Sequence, residues 1–323
     1  MRAVVCSEFA PLDRLRVEER PDPEPGPGQV VVAVRAAGVN FVDALFVQGA
    51  YQIKPPLPFT PGGEVAGEVV AVGADVAGLS VGDRVLAMSW LGGFATHAVV
   101  PAGSVVPIPG QLSFGQAAGL VQSYGTMLFS FTRRMQLRAG EWVLVLGAGG
   151  GIGLAAVDLA KHLGAKVIAA ASSTAKLEAA RRAGADATIA YEEEDLKGRA
   201  RELSGGGVDV VVDPVGGRFA EAALRSLGWM GRYLVIGFAG GDIPSLPANQ
   251  VLLNNRTVVG VDWGAWTMRD PDGNRLLLDD LMALAGAGEI HPVEPTPYPL
   301  DDVVRALTDL QERRVGGKVV LVP

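Results

Sequence analysis

The chain has 323 residues, 49% of them hydrophobic, which is enough for a sizeable core in one large or two medium domains. A net charge of −7, without any cluster of lysine and arginine, argues against a nucleic-acid partner. The single cysteine excludes internal disulfides and multi-cysteine metal sites, and it favours a reducing, cytoplasmic location.

The first third of the chain has the pattern of a small β domain. Residues 1–9 lack a continuous apolar region and a small-residue cleavage site, so we expect no signal peptide, and no later run is apolar enough for a membrane span. Residues 1–20 alternate in short apolar runs, which predicts a hairpin, and residues 30–37 predict a strand. Residues 62–106 repeat short valine- and alanine-rich strands separated by glycine turns, which is typical of a mostly β domain or barrel.

The pattern changes after a helical stretch at residues 112–134. From residue 142 onward, apolar strands alternate with amphipathic helices as far as residue 261. This alternation predicts a parallel, doubly wound sheet. The C-terminal part then predicts helices at residues 275–285 and 300–313 and a last strand at residues 318–322.

One stretch of this second part carries a candidate site. The unbroken apolar run Trp142–Leu146 predicts a strand buried on both faces, glycine occupies five of the seven positions 147–153, and helical spacing follows as far as Gly164. Strand, glycine turn and helix form the context in which a dinucleotide fingerprint binds a pyrophosphate at the helix N-terminus. The match is Ala148-x-Gly150-x-x-Gly153, with alanine in the first place, and a glycine turn that binds nothing is the alternative.

The end of the next strand indicates which nucleotide is bound. An acidic residue at this point usually accepts hydrogen bonds from the ribose hydroxyls of NAD. Here the strand ends in Ser172 and Ser173, and Lys176 follows within one helical turn. The missing acid and the added base predict NADP(H), although a lone lysine is more commonly an ordinary solvated side chain.

Six motifs in this order resemble one known family. They are residues 37–43 (Ala-Gly-Val-Asn-Phe-Val-Asp), residues 49–58, the Gly-Asp-Arg-Val of residues 82–85, the glycine loop, the Asp-Pro-Val-Gly-Gly of residues 213–217 and the Gly-Gly-Lys-Val-Val of residues 316–320. Together they resemble the quinone oxidoreductase (zeta-crystallin-like) branch of the medium-chain dehydrogenase/reductase superfamily. The resemblance implies a Rossmann doubly wound parallel sheet inserted in a GroES-like, mostly β catalytic domain, NADPH as reductant and a homodimer. We expect the catalytic domain in residues 1–122 and 264–323 and the Rossmann domain in residues 123–263.

The resemblance also implies site residues. Asn40 and Tyr51 match the family's active-site positions: Asn40 is expected to hold the ribose or the nicotinamide, and Tyr51 to line the substrate cleft, with simple packing as its alternative. Besides Gly150 of the fingerprint, the positions matching those that contact the cofactor in family members are Thr126, Gly151, Ile152, Ser172, Lys176, Tyr191, Val215, Phe238, Trp263 and Arg313. Because two arginines are adjacent here, the match leaves open whether Arg313 or Arg314 occupies the family's cofactor-contacting position.

The zinc-dependent alcohol dehydrogenases of the same superfamily are the rival interpretation. Their Gly-His-Glu motif corresponds here to Gly62-Gly63-Glu64, with glycine in place of the histidine, and Asn40 stands near the place of the cysteine. A catalytic zinc needs about three protein ligands, so we expect no metal and a structural rather than catalytic Glu64. The three histidines, His97, His162 and His291, are scattered without a matching acid and nucleophile, and no serine-hydrolase motif is present.

The resulting hypothesis is a zinc-independent, cytoplasmic NADPH-dependent reductase. By resemblance it transfers a hydride to a quinone or an α,β-unsaturated carbonyl substrate. A mainly structural or binding role as an NADPH-binding protein is the alternative.

Overall fold

The computed structural model describes residues 1–323, and its contacts divide the chain into two compact units. Unit 1 comprises Met1–Gln122, Leu278–Gly286 and Pro292–Pro323, and unit 2 comprises Ser123–Leu277 and Ala287–His291. The limits expected for the domains, 1–122, 123–263 and 264–323, stay a prediction. None of the helices combines the length and the apolar character that a membrane span requires.

The two units are built from strands and α-helices joined by loops and turns of different lengths. The strands are β1 (Arg2–Val5), β2 (Arg16–Glu19), β3 (Gln29–Val39), β4 (Glu64–Val72), β5 (Arg84–Met88), β6 (His97–Pro101), β7 (Val105–Pro107), β8 (Trp142–Leu146), β9 (Lys166–Ala171), β10 (Ala187–Ala190), β11 (Val208–Asp213), β12 (Leu227–Val235), β13 (Thr257–Gly260), β14 (Thr296–Pro299) and β15 (Val319–Val322). The α-helices are α1 (Phe41–Val47), α2 (Phe114–Phe129), α3 (Gly151–His162), α4 (Thr174–Arg182), α5 (Leu196–Leu203), α6 (Ala220–Ser226), α7 (Ala248–Leu252), α8 (Trp263–Arg269), α9 (Pro271–Ala287) and α10 (Val303–Gln311).

Unit 1 is mostly β structure. Its main sheet has seven strands in the order β14-β15-β3-β4-β5-β7, with β6 also paired to β3, and β1 and β2 form the expected antiparallel hairpin. Apart from the parallel pair β14 and β15, the neighbouring strands are antiparallel. Buried and exposed residues alternate little along the long strand β3, because nearly all of its valines and alanines are buried in unit 1. The short strands expected between residues 62 and 106 are β4 to β7.

Unit 2 contains a parallel sheet of six strands in the order β10-β9-β8-β11-β12-β13. All neighbouring strands in it are parallel, which confirms the expected doubly wound sheet. The valines and leucines of β8 and β11 are buried, as expected for central strands covered on both faces. The strand order reverses between β8 and β11, and ligands of such sheets bind beyond the carboxyl ends of the strands at this reversal.

Several short elements differ from the expectations. Helices α1, α7 and α8 were not expected, because five to seven residues show too little periodicity to be recognised. Strand β12 begins at Leu227, and a register shift opposite β11 together with Met230 at φ 59° interrupts its apolar pattern. As β12 ends at Val235, Phe238 lies in the loop that follows.

Candidate functional site

The glycine-rich loop leads from β8 into α3 in unit 2. Gly150 is the N-cap of α3, and the first turn of this helix contains no acidic side chain. The backbone N–H groups of a first helical turn lack intrahelical partners, and the helix dipole adds positive potential there, so such a turn binds anions. The loop therefore has the chemistry needed to hold a pyrophosphate.

The glycines of the loop have different environments. Gly147 has a φ of 58°, in the left-handed region that favours glycine. A Cβ on Gly153 would lie 2.6 Å from the Cα and 2.8 Å from the carbonyl carbon of Ala148, so α3 approaches the turn too closely for a side chain. A Cβ on Gly150 would meet only the Gly147 oxygen, at 3.5 Å. The alanine in the first place of the motif is thus tolerated, because the turn glycine lies one residue before it.

The site predicted to bind the adenosine end of NADP(H) lies beyond the C-terminal end of β9. Ser172 is exposed directly after this strand, and Ser173 is the N-cap of α4, whose first turn contains no acidic residue. Lys176 lies against the glycine loop, since a Cβ on Gly149 would be 2.8 Å from the Lys176 Cγ and 2.9 Å from its Cα. The structure therefore places Lys176 beside the glycine loop, three residues after Ser173, and no acidic residue lies in the first turn of α4.

The loop after β11 contacts both the glycine loop and the loop after β12, near the reversal of strand order. A Cβ on Gly147 would lie 2.8 Å from a methyl carbon of Val215, and a Cβ on Gly216 would lie 3.0 Å from the ring of Phe238. The buried Asp213 fixes this turn, because its Oδ1 accepts the backbone N–H groups of Val215 and Gly216, each at 2.8 Å. The Tyr233 hydroxyl donates to the other oxygen of Asp213.

Three further predicted residues also lie in unit 2. Tyr191 follows β10, its N–H donates to the Ala171 oxygen at 3.3 Å, and its ring centroid lies 4.3 Å from that of Phe219. Thr126, on α2, is 8% exposed. Trp263 is 4% exposed, packs against the neighbouring Gly125, and has an indole Nε1–H without a hydrogen-bond partner. Because a buried donor without a partner is costly, this N–H is suited to a polar group of a bound molecule.

Asn40 lies in unit 1 in a buried charged cluster. It is the N-cap of α1, and its Nδ2 donates to the Glu64 Oε1 at 2.8 Å. The Lys318 ammonium donates to the Asn40 Oδ1 and, at 2.6 Å, to the same Glu64 oxygen. Glu64 is 0% exposed and Lys318 is 7% exposed. We call Asn40, Glu64 and Lys318 the carboxamide cluster.

Sequence reasoning did not assign a role to Lys318 or to Asp43, which also lies beside Asn40. Asp43 is 1% exposed, and its Oδ2 accepts the Asn40 backbone N–H at 2.7 Å. Burial raises the pKa of the Asp43 carboxyl to about 7, while the Asn40 hydrogen bond and the Lys318 charge act in the opposite direction. One signal was available for Asp43, because asparagine followed three residues later by an acid is a helix N-cap pattern, whereas no pattern in the sequence links Lys318 to Asn40.

Tyr51 and Arg313 are the other predicted residues of unit 1. Tyr51 is half-buried against the core, with its ring centroid 4.7 Å from that of Phe46. Arg313 follows α10 with a φ of 60°. Its neighbour Arg314 forms an ion pair with Asp309 at 2.8 Å, and the choice between Arg313 and Arg314 as the predicted cofactor residue stays open. For all the predicted site residues, the roles toward a ligand stay predictions.

Potential metal ligands are dispersed. No group of three or more His, Cys, Asp or Glu side chains is arranged to hold a metal ion. His162 lies 3.4 Å from Glu289, and His291 lies 3.4 Å from Asp158, both as single pairs. Gly63, in the place of a histidine ligand, has no side chain to offer a metal, and its carbonyl oxygen accepts the backbone N–H of Ser89 at 2.9 Å.

Two family models match the chain. Residues 26–110 match the alcohol dehydrogenase GroES-like domain, and residues 151–277 match the model described as zinc-binding dehydrogenase. The first match lies within unit 1 and the second within unit 2. Both parts of the expected fold, the GroES-like domain and the Rossmann domain, are thereby confirmed.

Similar proteins cover essentially the whole chain. A quinone oxidoreductase-like protein 2 homolog from Nematostella vectensis is 42% identical, over 99% of this chain and 88% of that protein. A mycobacterial protein solved in complex with NADPH is 33% identical, with a TM-score of 0.92 over 100% of both chains. The Escherichia coli quinone oxidoreductase solved in complex with NADPH is 29% identical, with a TM-score of 0.90 over 100% of both chains. The chain therefore belongs to the medium-chain dehydrogenase/reductase superfamily, in its quinone oxidoreductase branch.

Proposed function

We propose that this protein is an NADPH-dependent reductase that transfers a hydride to a quinone or to an α,β-unsaturated carbonyl compound without a zinc ion. The observation that carries the proposal is the C-terminal edge of the parallel sheet in unit 2. There the open Gly150 and the first turn of α3 can receive a pyrophosphate, and Ser172, Ser173 and Lys176 can receive a 2′-phosphate. Two of the similar solved structures are NADPH complexes, which supports the same choice of cofactor.

The protein's own residues have distinct tasks in this proposal. When bound, NADPH supplies the hydride, and the protein supplies orientation and electrostatics. The glycine loop holds the pyrophosphate of NADPH, and Val215 and Phe238 line the site where the strand order reverses. Asn40 holds the nicotinamide ribose or the nicotinamide itself. Negative charge that develops on the substrate oxygen needs a hydrogen-bond donor or nearby water, and the Tyr51 hydroxyl is the donor we assign to it.

The function is tested by comparing turnover with binding. We expect the protein to consume NADPH when a panel of quinones and enones is added, at rates well above the rate without acceptor. With NADPH deuterated at the transferred position, the saturated product of an enone should carry the deuterium on its β-carbon. Tight equilibrium binding of NADPH without turnover of any acceptor would instead identify a binding protein and contradict the proposed activity.

The first prediction concerns metal. We expect elemental analysis of the purified protein to show no stoichiometric zinc, and activity to survive prolonged treatment with a chelator, because Gly63 and Asn40 replace two of the ligands that a catalytic zinc requires. A zinc-dependent alcohol dehydrogenase treated in parallel is the control and should lose activity. Stoichiometric zinc, with activity lost to the chelator and restored by zinc, would contradict this prediction.

The second prediction is a homodimer that extends the parallel sheet of unit 2. Strand β13 pairs with β12 on one side only, so its other edge is open except at the Gly260 carbonyl, which accepts from the Arg134 Nε–H at 2.9 Å. Val258 on this strand is 38% exposed, and the preceding Leu252 and Leu253 are 77% and 54% exposed. A two-fold partner can pair with this edge through its own β13.

Light scattering or sedimentation should therefore give twice the chain mass of 33.5 kDa at micromolar concentration. Val258→Lys should shift the mass toward the monomer, because the two-fold places both new charges in the interface. Val81→Lys is the control, since Val81 is 66% exposed in unit 1. A monomeric wild type would overturn the prediction.

A further inference from the structure

The carboxamide cluster of unit 1 fixes which atoms of Asn40 are already bonded. A carboxamide offers one acceptor oxygen and two N–H donors. The Asn40 oxygen accepts from the Lys318 ammonium, and one of the two N–H groups donates to Glu64 at 2.8 Å. Asn40 therefore retains a single N–H for a bound molecule, and the partner of that N–H must be an acceptor.

The charges of the cluster select this orientation of the amide. A rotation of 180° about the terminal bond would place the Asn40 NH₂ against the Lys318 ammonium and the Asn40 oxygen against the Glu64 carboxylate. Both contacts would then be repulsive, in a region where Glu64 is 0% exposed and electrostatic interactions are strong. The two charged residues together allow only one of the two amide orientations.

Glu64 and Lys318 are themselves held in place. The second oxygen of Glu64 accepts the Gln122 backbone N–H at 2.8 Å. A Cβ on Gly38 would lie 2.6 Å from the Glu64 Cγ, and a Cβ on Gly119 would lie 2.7 Å from the Lys318 Cγ, so the backbone closely surrounds both side chains. A buried ion pair is weak evidence for a gain in stability, because desolvation of the two charges offsets their attraction. A role in orientation accounts better for its presence.

We propose that Glu64 and Lys318 are positioning residues that lock the Asn40 carboxamide so that its remaining N–H donates to an acceptor oxygen in the nicotinamide half of the bound cofactor. The acceptor is a ribose oxygen or the carbonyl oxygen of the nicotinamide carboxamide. This inference rests on the proposed function, since that function places Asn40 beside the cofactor.

The test uses two ligands and a mutant cycle. NADPH contains the nicotinamide half, whereas 2′,5′-ADP contains only the adenosine end. We expect Asn40→Ala and Lys318→Met each to weaken NADPH binding by about 3- to 10-fold, the usual effect of one hydrogen bond, and to leave 2′,5′-ADP binding unchanged. The double variant should bind NADPH as Asn40→Ala does, because Lys318 acts through Asn40. Independent, multiplying losses would show a merely structural role and overturn the proposal, as would equal losses for both ligands.

Two further variants guard against misfolding. Glu64→Gln keeps the shape of the side chain and removes its charge, so it should reproduce the loss of NADPH affinity if Lys318→Met fails to fold. Lys161→Met is the matched control, because Lys161 forms an ion pair with Asp186 at 2.9 Å on the surface of unit 2. It should change neither affinity.

The wild-type protein provides a direct readout by NMR. Selective ¹⁵N labelling of asparagine gives few side-chain signals, since the chain contains only Asn40, Asn249, Asn254, Asn255 and Asn274. The NH₂ pair that disappears in Asn40→Ala should show one proton protected from exchange, the proton donated to Glu64, and a second proton that shifts on addition of NADPH but not of 2′,5′-ADP. An Asn40 pair that exchanges freely, or that NADPH leaves unchanged, would overturn the proposal. A wild type that binds NADPH with these signatures but reduces no acceptor would contradict the proposed function alone.

Discussion

Gly153→Ala is expected to weaken NADPH binding and to lower kcat/KM by about 100-fold, since a misplacement of roughly 1 Å can cost that factor in rate. The added Cβ would lie 2.6 Å from the Ala148 Cα and 2.8 Å from its carbonyl carbon, and these are backbone atoms that cannot rotate away. Either α3 or the glycine turn must move, and both form the pyrophosphate site. Overpacking of this kind lowers the free energy of unfolding by about 1–3 kcal/mol, partly offset by the better helix propensity of alanine.

Two further alanine variants distinguish a loss of NADPH affinity at the pyrophosphate site from a general loss of stability. Gly150→Ala places a Cβ 3.5 Å from the Gly147 oxygen, at the open face where the pyrophosphate is expected, so NADPH affinity should fall while the melting temperature stays near that of the wild type. Gly103→Ala adds a Cβ with no atom within 4 Å and should change neither property. Titration with NADPH gives the affinity of each of the three variants, and thermal unfolding gives the melting temperature of each. A Gly153→Ala protein that binds NADPH as tightly as the wild type would rule out the assigned loop.

Ser172→Asp is expected to reverse the preference of the wild type for NADPH over NADH. A 2′-phosphate carries close to two negative charges, and Ser172 and Ser173 offer it hydroxyl donors at the end of β9. A carboxylate at residue 172 would repel that phosphate and would accept hydrogen bonds from the ribose hydroxyls of NADH. One hydrogen bond to a charged group contributes about 1.5–3 kcal/mol, or about 10- to 150-fold in affinity.

Lys176→Ala is the companion variant. Its side chain is half-buried against the glycine loop, and a lysine ammonium is a mobile point charge rather than a bidentate fork, so NADPH should weaken by about 10-fold or less and NADH should be almost unaffected. Lys197→Ala, on α5, is the control. Values of kcat/KM for both cofactors in all four proteins provide the measurement. A wild type that favours NADH, or equal losses of both cofactors in Lys176→Ala, would show that the phosphate site is elsewhere.

The features that could be predicted from the sequence are those with a local cause. The unbroken apolar run of β8, the glycine loop and the helix that follows are contiguous, so their pattern is complete within about one βα unit. The alternation of strands and helices in unit 2 predicts a parallel sheet, because parallel neighbours require crossover connections. The serines after β9 could be assigned to the adenosine end for the same reason, since they follow directly from a recognisable strand.

The carboxamide cluster shows what only the tertiary structure decided. Asn40 and Glu64 are 24 residues apart, and Lys318 lies 278 residues from Asn40, so no periodicity or spacing links the three. They meet because β15 pairs with β3 and β3 pairs with β4, which brings the three chain segments side by side. Sequence alone suggested that Glu64 is structural, but the orientation of the Asn40 amide depends on two charges that only this strand pairing places against it. A hydrogen bond requires partners within about 3 Å, and separation along the chain does not determine that distance.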